Sequence, residues 1–267
     1  MEKYFDINDG CSIRCKLIVN ETRNNAGGPL LPQSIDRVVI FCHGFGGHKD
    51  TRAASVFAER MNAKHLSTAL LVFDWPCHGK DAGKHLTLEA CDRYLSLVRQ
   101  YAAEKLHAQS IYACGTSFGG YLLLKYTLEH GKSFEKIALR CPVVNMFRSM
   151  TERIIDEESL QKLNKGKEVL AGFDRKVKID RDFLAELEAC DLSKRDFLDY
   201  ADDIMIVHGT DDEIIPYEEI RQFADDNVIE FLGVEGADHR FTNPKKMDPA
   251  IHEMIEFLGV TRENSNE

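Results

Sequence analysis

Ser117 stands in the string CGTSFGGY, residues 114–121, with glycine two positions before it, two after it and again at position 120. A serine hydroxyl is barely ionised at neutral pH. To act as a nucleophile it needs a base that takes its proton, and the base needs an acid that orients it. Both residue types follow downstream. HGTDDEIIP offers two adjacent carboxylates, Asp211 and Asp212, and VEGADHRF offers His239. Attack on a carbonyl also places negative charge on its oxygen, which two backbone N–H groups can stabilise. Phe118, directly after the serine, supplies one such amide. The glycine-rich HGFGG supplies the other, from Phe45. The parts are those of acyl transfer.

These residues meet only if a fold brings the ends of several strands together. Ser117 lies between SIYAC, a strand pattern, and YLLLKYTLEH, a helix pattern, so it occupies a strand-to-helix corner. Glycines at 115 and 119 relieve crowding around a strained turn, and Gly120 lets the helix approach closely. DRVVIFC, STALLVF and FEKIALR are short, apolar and rich in β-branched residues, as expected of strands buried on both faces of a parallel sheet. Helical spacing separates them. It puts Ala54, Phe57, Ala58 and Met61 on one face, begins again after an expected cap at Thr87, and closes a third helix at Gly131. KYFDI and SIRCKLIV flank an NDG turn signal, and ETRNNAGGPLLPQS reads as an exposed loop. The alternation predicts a doubly wound, mostly parallel α/β sheet.

That rhythm lapses between Asn145 and Tyr200. Here NMFRSMTERIIDEESLQKLNKGKEVLAGF and DRDFLAELEACDL read as helical, with DRKVKI between them as strand or loop. The sheet pattern returns at IMIVHG and VIEFLGV, and the last helix is PAIHEMIEFLGV. An excursion this long between two strands exceeds an ordinary loop. The expected organisation is a core at 1–144 and 201–267, with 145–200 inserted as a cap over the carboxyl ends of the strands.

Composition narrows the function. In 267 residues, 43% are hydrophobic and 29% charged, as in ordinary globular proteins. With 34 basic and 44 acidic residues, the formal net charge is −10, which argues against nucleic acid or an anionic membrane as partner. The eight cysteines are scattered without a C-x-x-C pair, several within apolar strand patterns, as expected of reduced thiols in a cytoplasmic protein. No H-E-x-x-H or G-x-G-x-x-G pattern occurs, so neither a metal nor a dinucleotide cofactor is implied. His43, His78 and His208 are read as braces of their loops. A serine at the corner excludes the aspartate-based epoxide hydrolase and dehalogenase reactions.

The run from VVIFCHGFGG through FDWPCHG, GTSFGG and HGTDDEIIP to GADH resembles the α/β-hydrolase superfamily over nearly the whole chain. Within it, HGFGGHK, HGTDDEII and EGADHRF are similar to the bacterial cinnamoyl (feruloyl) esterases and their carboxylesterase relatives. Thr116 and Phe118 depart from that branch, which has histidine and glutamine there. The resemblance implies Ser117 as nucleophile with Asp212 and His239 as partners, and a small-molecule carboxylic ester as substrate. The superfamily pattern H-G-x-x-D-x-x-hydrophobic-P falls on Asp212, with Ile215 and Pro216 completing it. A thioesterase or acyltransferase would use the same triad, and a slow-turnover ligand sensor would keep it.

Overall fold

The computed structural model describes residues 1–19, 35–64, 67–79, 85–173 and 175–259. The expected loop at 21–34 lies outside them. The chain opens with β1 (Glu2–Asn8) and β2 (Ser12–Ile18), an antiparallel hairpin that turns at Gly10 with φ 64°. Alternation then follows through β3 (Arg37–Cys42), α1 (Arg52–Lys64), β4 (Thr68–Phe73), α2 (Leu88–Glu104), β5 (Ser110–Thr116), α3 (Phe118–His130) and β6 (Ile137–Arg140). After the 145–200 segment come β9 (Ile204–Gly209), α7 (Tyr217–Asp226), β10 (Glu230–Val234) and α8 (Pro244–Phe257).

One eight-stranded sheet has the order β1-β2-β4-β3-β5-β6-β9-β10. Beyond the antiparallel β1-β2 and β2-β4 pairs, every pairing is parallel. The order reverses between β3 and β5: β4 lies on one side of β3, β5 on the other. In open parallel sheets this reversal leaves a crevice at the carboxyl ends of the strands. The crevice opens between the HGFGG loop and Ser117.

Alternating strand residues feed two cores. Val39, Phe41, Leu70 and Val72 face Ala54, Phe57, Ala58 and Met61 of α1 and Ile251, Met254 and Ile255 of α8. All four predicted α1 positions are at most 3% exposed. Val38, Ile40, Leu71 and Phe73 face the other way, toward Leu95 and Val98 of α2 and Leu123 of α3. Thr87 caps α2, its Oγ1 accepting from Ala90 N at 3.0 Å, as its position before the apolar spacing predicted. The last helix starts five residues earlier than its apolar pattern: Asn243 accepts from Lys245 N and Pro244 occupies the first turn, leaving Pro249 inside the helix.

The 145–200 segment contributes no strand to the main sheet. It runs through α4 (Met146–Ser149), a π-helical turn (Met150–Ile154), α5 (Glu157–Asn164), β7 (Val169–Ala171), β8 (Val177–Ile179), α6 (Arg181–Ala189) and, after a loop, a 3₁₀ turn (Leu198–Asp203). Its Leu163, Val177, Phe183 and Leu187 join the core on the α2 and α3 side. The expectation of helix across KEVLAGF is corrected. Gly166, at φ 73°, ends α5, and Val169, Leu170 and Ala171 alternate buried, exposed, buried, a period of two that pairs with β8.

Candidate active site

Ser117 sits between β5 and α3 with φ 51° and ψ −118°, a left-handed conformation that strains any residue with a Cβ. Two features hold it there. Its N–H donates to Arg140 O of β6 at 3.1 Å, and its own carbonyl accepts Tyr121 N at 3.1 Å. Gly119 makes the corner possible. A Cβ at that position would lie 2.1 Å from the Cys42 carbonyl oxygen, so α3 and the end of β3 meet backbone to backbone. Gly44 passes directly over the serine, where a Cβ would be 3.3 Å from Ser117 Cβ and 3.8 Å from Oγ.

The β9 and β10 loops are stitched to each other. Asp211 N donates to Ala237 O at 3.1 Å, and Gly236 N donates to Thr210 Oγ1 at 2.8 Å. On this frame His239 Nδ1 donates to Asp212 Oδ2 at 2.7 Å. The His239 side chain is 9% exposed and the Asp212 side chain is fully buried. Burial works against the charge on Asp212, but hydrogen bonds from His208 and His239 overcome it and hold the carboxyl well below the usual range. Ile214 N and Ile215 N donate to its other oxygen at 2.9 and 2.7 Å. Asp211 is exposed and accepts its neighbour Thr210 Oγ1 at 3.1 Å.

Ser117, His239 and Phe45 line one cavity of about 350 Å³, a volume suited to a small organic ligand. Phe118 starts α3, in the first turn where amides have no carbonyl of their own helix to reach. Its ring is fully buried, edge-on to Phe45 with centroids 5.8 Å apart and stacked near His78 and Tyr121. The side chain therefore serves packing.

His43 and His78 brace loops, as read from sequence. Trp75 N donates to His43 Nε2 at 3.4 Å, and Trp75 Nε1 donates to His43 O at 3.0 Å. Burial pulls their pKa values down to about 4 and about 3. His208 braces its loop too, Nε2 lying 3.1 Å from Ile215 O, but the same nitrogen is 3.2 Å from Asp212 Oδ2. That second contact was not read from sequence; the signal was its place four residues before the acid. Glu213, which accepts His239 N at 3.3 Å, and the buried Asp74, which accepts Lys49 N at 2.6 Å and so ties the HGFGG loop to β4, had no sequence signal at all.

A sulfur of Cys141, a carboxylate oxygen of Asp212 and a ring nitrogen of His239 lie within 4.8 Å of one another. Burial holds the Cys141 thiol well above the ordinary value, so it is a poor ligand, and the facing atoms of Asp212 and His239 are spent on each other. The trio is a hydrogen-bond network.

Residues 33–171, or 139 of 267, match the family described as serine aminopeptidase, S33. The chain belongs to this family. The matched part of this S33-family hydrolase spans the Phe45 loop and the Ser117 corner and stops short of Asp212 and His239. No curated protein matches the sequence. Among solved structures, Est1E from Butyrivibrio proteoclasticus with ferulic acid bound is similar at 21% identity and TM-score 0.74, covering 96% of this chain and 98% of that one. DcsB in complex with its substrate analogue is similar at 12% identity and TM-score 0.71, covering 98% and 99%. Alpha/beta hydrolase domain-containing protein 10 from mouse has 15% identity and TM-score 0.65, covering 96% and 98%. At these identities the likeness establishes the α/β-hydrolase fold. No helix among the described residues is long and apolar enough to cross a membrane.

Proposed function

We propose that this hydrolase cleaves small carboxylic esters through an acyl-enzyme on Ser117. The observation that carries the reading is the buried 2.7 Å contact from His239 Nδ1 to Asp212 beside a cavity that Ser117 also lines. With Nδ1–H committed to the carboxylate, Nε2 is the nitrogen able to take a proton. Ser117 Oγ attacks the carbonyl carbon while its proton moves to His239, and the amides of Phe45 and Phe118 receive the charge on oxygen. The bond to the alcohol oxygen breaks, and the His239 proton leaves with the alcohol. Water then attacks the acyl-enzyme by the same route, returning a proton to Ser117 and releasing the acid. The 145–200 segment acts as the cap that shapes the acyl site, through Ile154, Phe173 and Arg175 on the cavity wall. Est1E, solved with ferulic acid, lends support to a carboxylic ester as substrate.

A panel of 4-nitrophenyl, hydroxycinnamoyl and coenzyme A esters tests this. Turnover of an oxygen ester is expected, with Ser117→Ala lowering kcat by several orders of magnitude while circular dichroism stays unchanged. Faster turnover of coenzyme A thioesters would make the enzyme a thioesterase. Absence of turnover on every ester would leave a binding protein.

A further inference from the structure

Arg140 ends β6, and its carbonyl accepts the Ser117 N–H at 3.1 Å, so its side chain starts one strand from the nucleophile. It is 7% exposed and lines the cavity that Ser117 and His239 share. Among the described residues it has no ion pair. Nη1 donates to the thioether sulfur of Met247 at 3.0 Å, the guanidinium carbon stands 5.4 Å from the centroid of the Phe241 ring, and Nε is buried with no hydrogen-bond partner. Asp238 and Asp212 act on it only through longer-range attraction. A guanidinium stays charged at any physiological pH, and a buried cation without a hydrogen-bonded counter-charge is costly to the fold. Packing alone would be served better by an apolar side chain.

The mouth repeats the sign. Arg52, Arg175 and Arg240 line the same cavity, and no aspartate or glutamate is among the described residues of its wall. This is a cationic crevice in a chain of formal net charge −10. Low-dielectric walls with charges of one sign concentrate the opposite charge.

We propose that the cavity takes esters whose acid part carries an anionic group, carboxylate or phosphate, a few bonds from the scissile carbonyl, and that Arg140 receives that group. This rests on the esterase reading of the same site. Neighbouring strands lie about 4.8 Å apart, which keeps the anion close to the ester. The planar fork of arginine matches either oxyanion with paired hydrogen bonds, and Arg140 lines the cavity with no ion pair among the described residues to occupy that fork. The three outer arginines draw the substrate in.

The test compares mono-4-nitrophenyl glutarate with 4-nitrophenyl valerate, which differ only in a terminal carboxylate against a methyl, after subtraction of spontaneous hydrolysis. The wild-type protein is expected to favour the glutarate by about tenfold or more in kcat/KM, less so as salt is raised. Arg140→Met should bring the ratio close to one, and Arg140→Lys should restore part of it. Inhibition of valerate turnover by phenyl phosphate against glutarate tells which oxyanion fits better. A wild-type ratio of one or below, or a ratio unchanged in Arg140→Met, overturns the proposal while esterase activity stands. Loss of turnover on both esters, with Ser117 unreactive to a fluorophosphonate, overturns the esterase reading as well. Should Arg140→Met fail to fold, the wild-type protein decides at constant ionic strength: inhibition by glutarate or phosphate but not by neutral glutaramide is expected, and equal or absent inhibition overturns it.

Discussion

Asp212 carries its charge in a place where burial alone would neutralise it. Its Oδ1 accepts Ile214 N and Ile215 N, and its Oδ2 faces His239 Nδ1 and His208 Nε2. Asp211, one residue earlier, points to solvent and Thr210. The two aspartates therefore differ in what their loss would do. Asp212→Asn turns an acceptor into a potential donor toward His239 and favours the wrong tautomer, a change that costs about 10⁴ in kcat in serine proteases. Steady-state rates on one activated ester should fall at least about a hundredfold for Asp212→Asn and far less for Asp211→Asn. The reverse ranking would move the acid to Asp211. At this scale the sequence was informative where chemistry and spacing coincide: Ser117, Asp212 and His239 lie in short strings with fixed offsets. Arg140, Glu213 and Asp74 were not legible, because each acts through a partner distant in sequence that only the sheet brings near.

Strand β7 is the element that sequence periodicity missed, whereas DRKVKI, read as strand or loop, holds β8. Three-residue strands leave too little pattern to separate a period of two from a helix, and the decisive feature was the stop at Gly166. The tip of the β7–β8 hairpin rests on the HGFGG loop. A Cβ at Gly172 would lie 3.5 Å from the Phe45 ring, and one at Gly46 would lie 2.7 Å from Arg175 O. Phe173 lines the cavity and stays 47% exposed, with the Arg240 guanidinium 5.8 Å from its ring centroid. Within the segment Phe173 borders the cavity, whereas Phe147 and Ile155 pack with the core. Ile154 takes the place of Ile155 on the wall because the chain leaves its π-helical turn for an extended conformation between them. Phe173→Ala should raise kcat/KM on bulky acyl esters relative to acetate by several-fold, with little change in the labelling rate of Ser117 by a small phosphonate. An unchanged ratio between bulky and short esters would show that the hairpin does not select the acyl group.

At the scale of the whole molecule, one sheet reversal gathers the parts. In the proposed reaction the ends of β3 and β5 carry the two amides of Phe45 and Phe118 and Ser117, and the loops after β9 and β10 carry Asp212 and His239 from the other half of the sheet. The strand order was legible only as a class, since alternating buried strands and helices specify a doubly wound sheet but not which strands are neighbours. Stability should carry the mark of two of the buried histidines, His43 and His78. His43 and His78 are held neutral by burial, with pKa values of about 4 and about 3, whereas an unfolded histidine titrates at about 6.5. Below pH 6.5 the unfolded chain binds more protons, so stability is full above that pH and falls as pH drops toward 4, by up to about 1.4 kcal/mol per pH unit for each histidine. Urea unfolding between pH 7 and 4 should show this slope, and His78→Gln should remove about one proton from it; an identical slope in the variant would mean His78 is not buried neutral. The central claim, that Ser117 is the activated nucleophile, is met most directly by labelling with a fluorophosphonate and mapping the adduct by peptide mass spectrometry. One equivalent on Ser117, lost in Ser117→Ala and strongly slowed in His239→Ala, is the expected result. An adduct on another residue, or labelling that persists in Ser117→Ala, would contradict it.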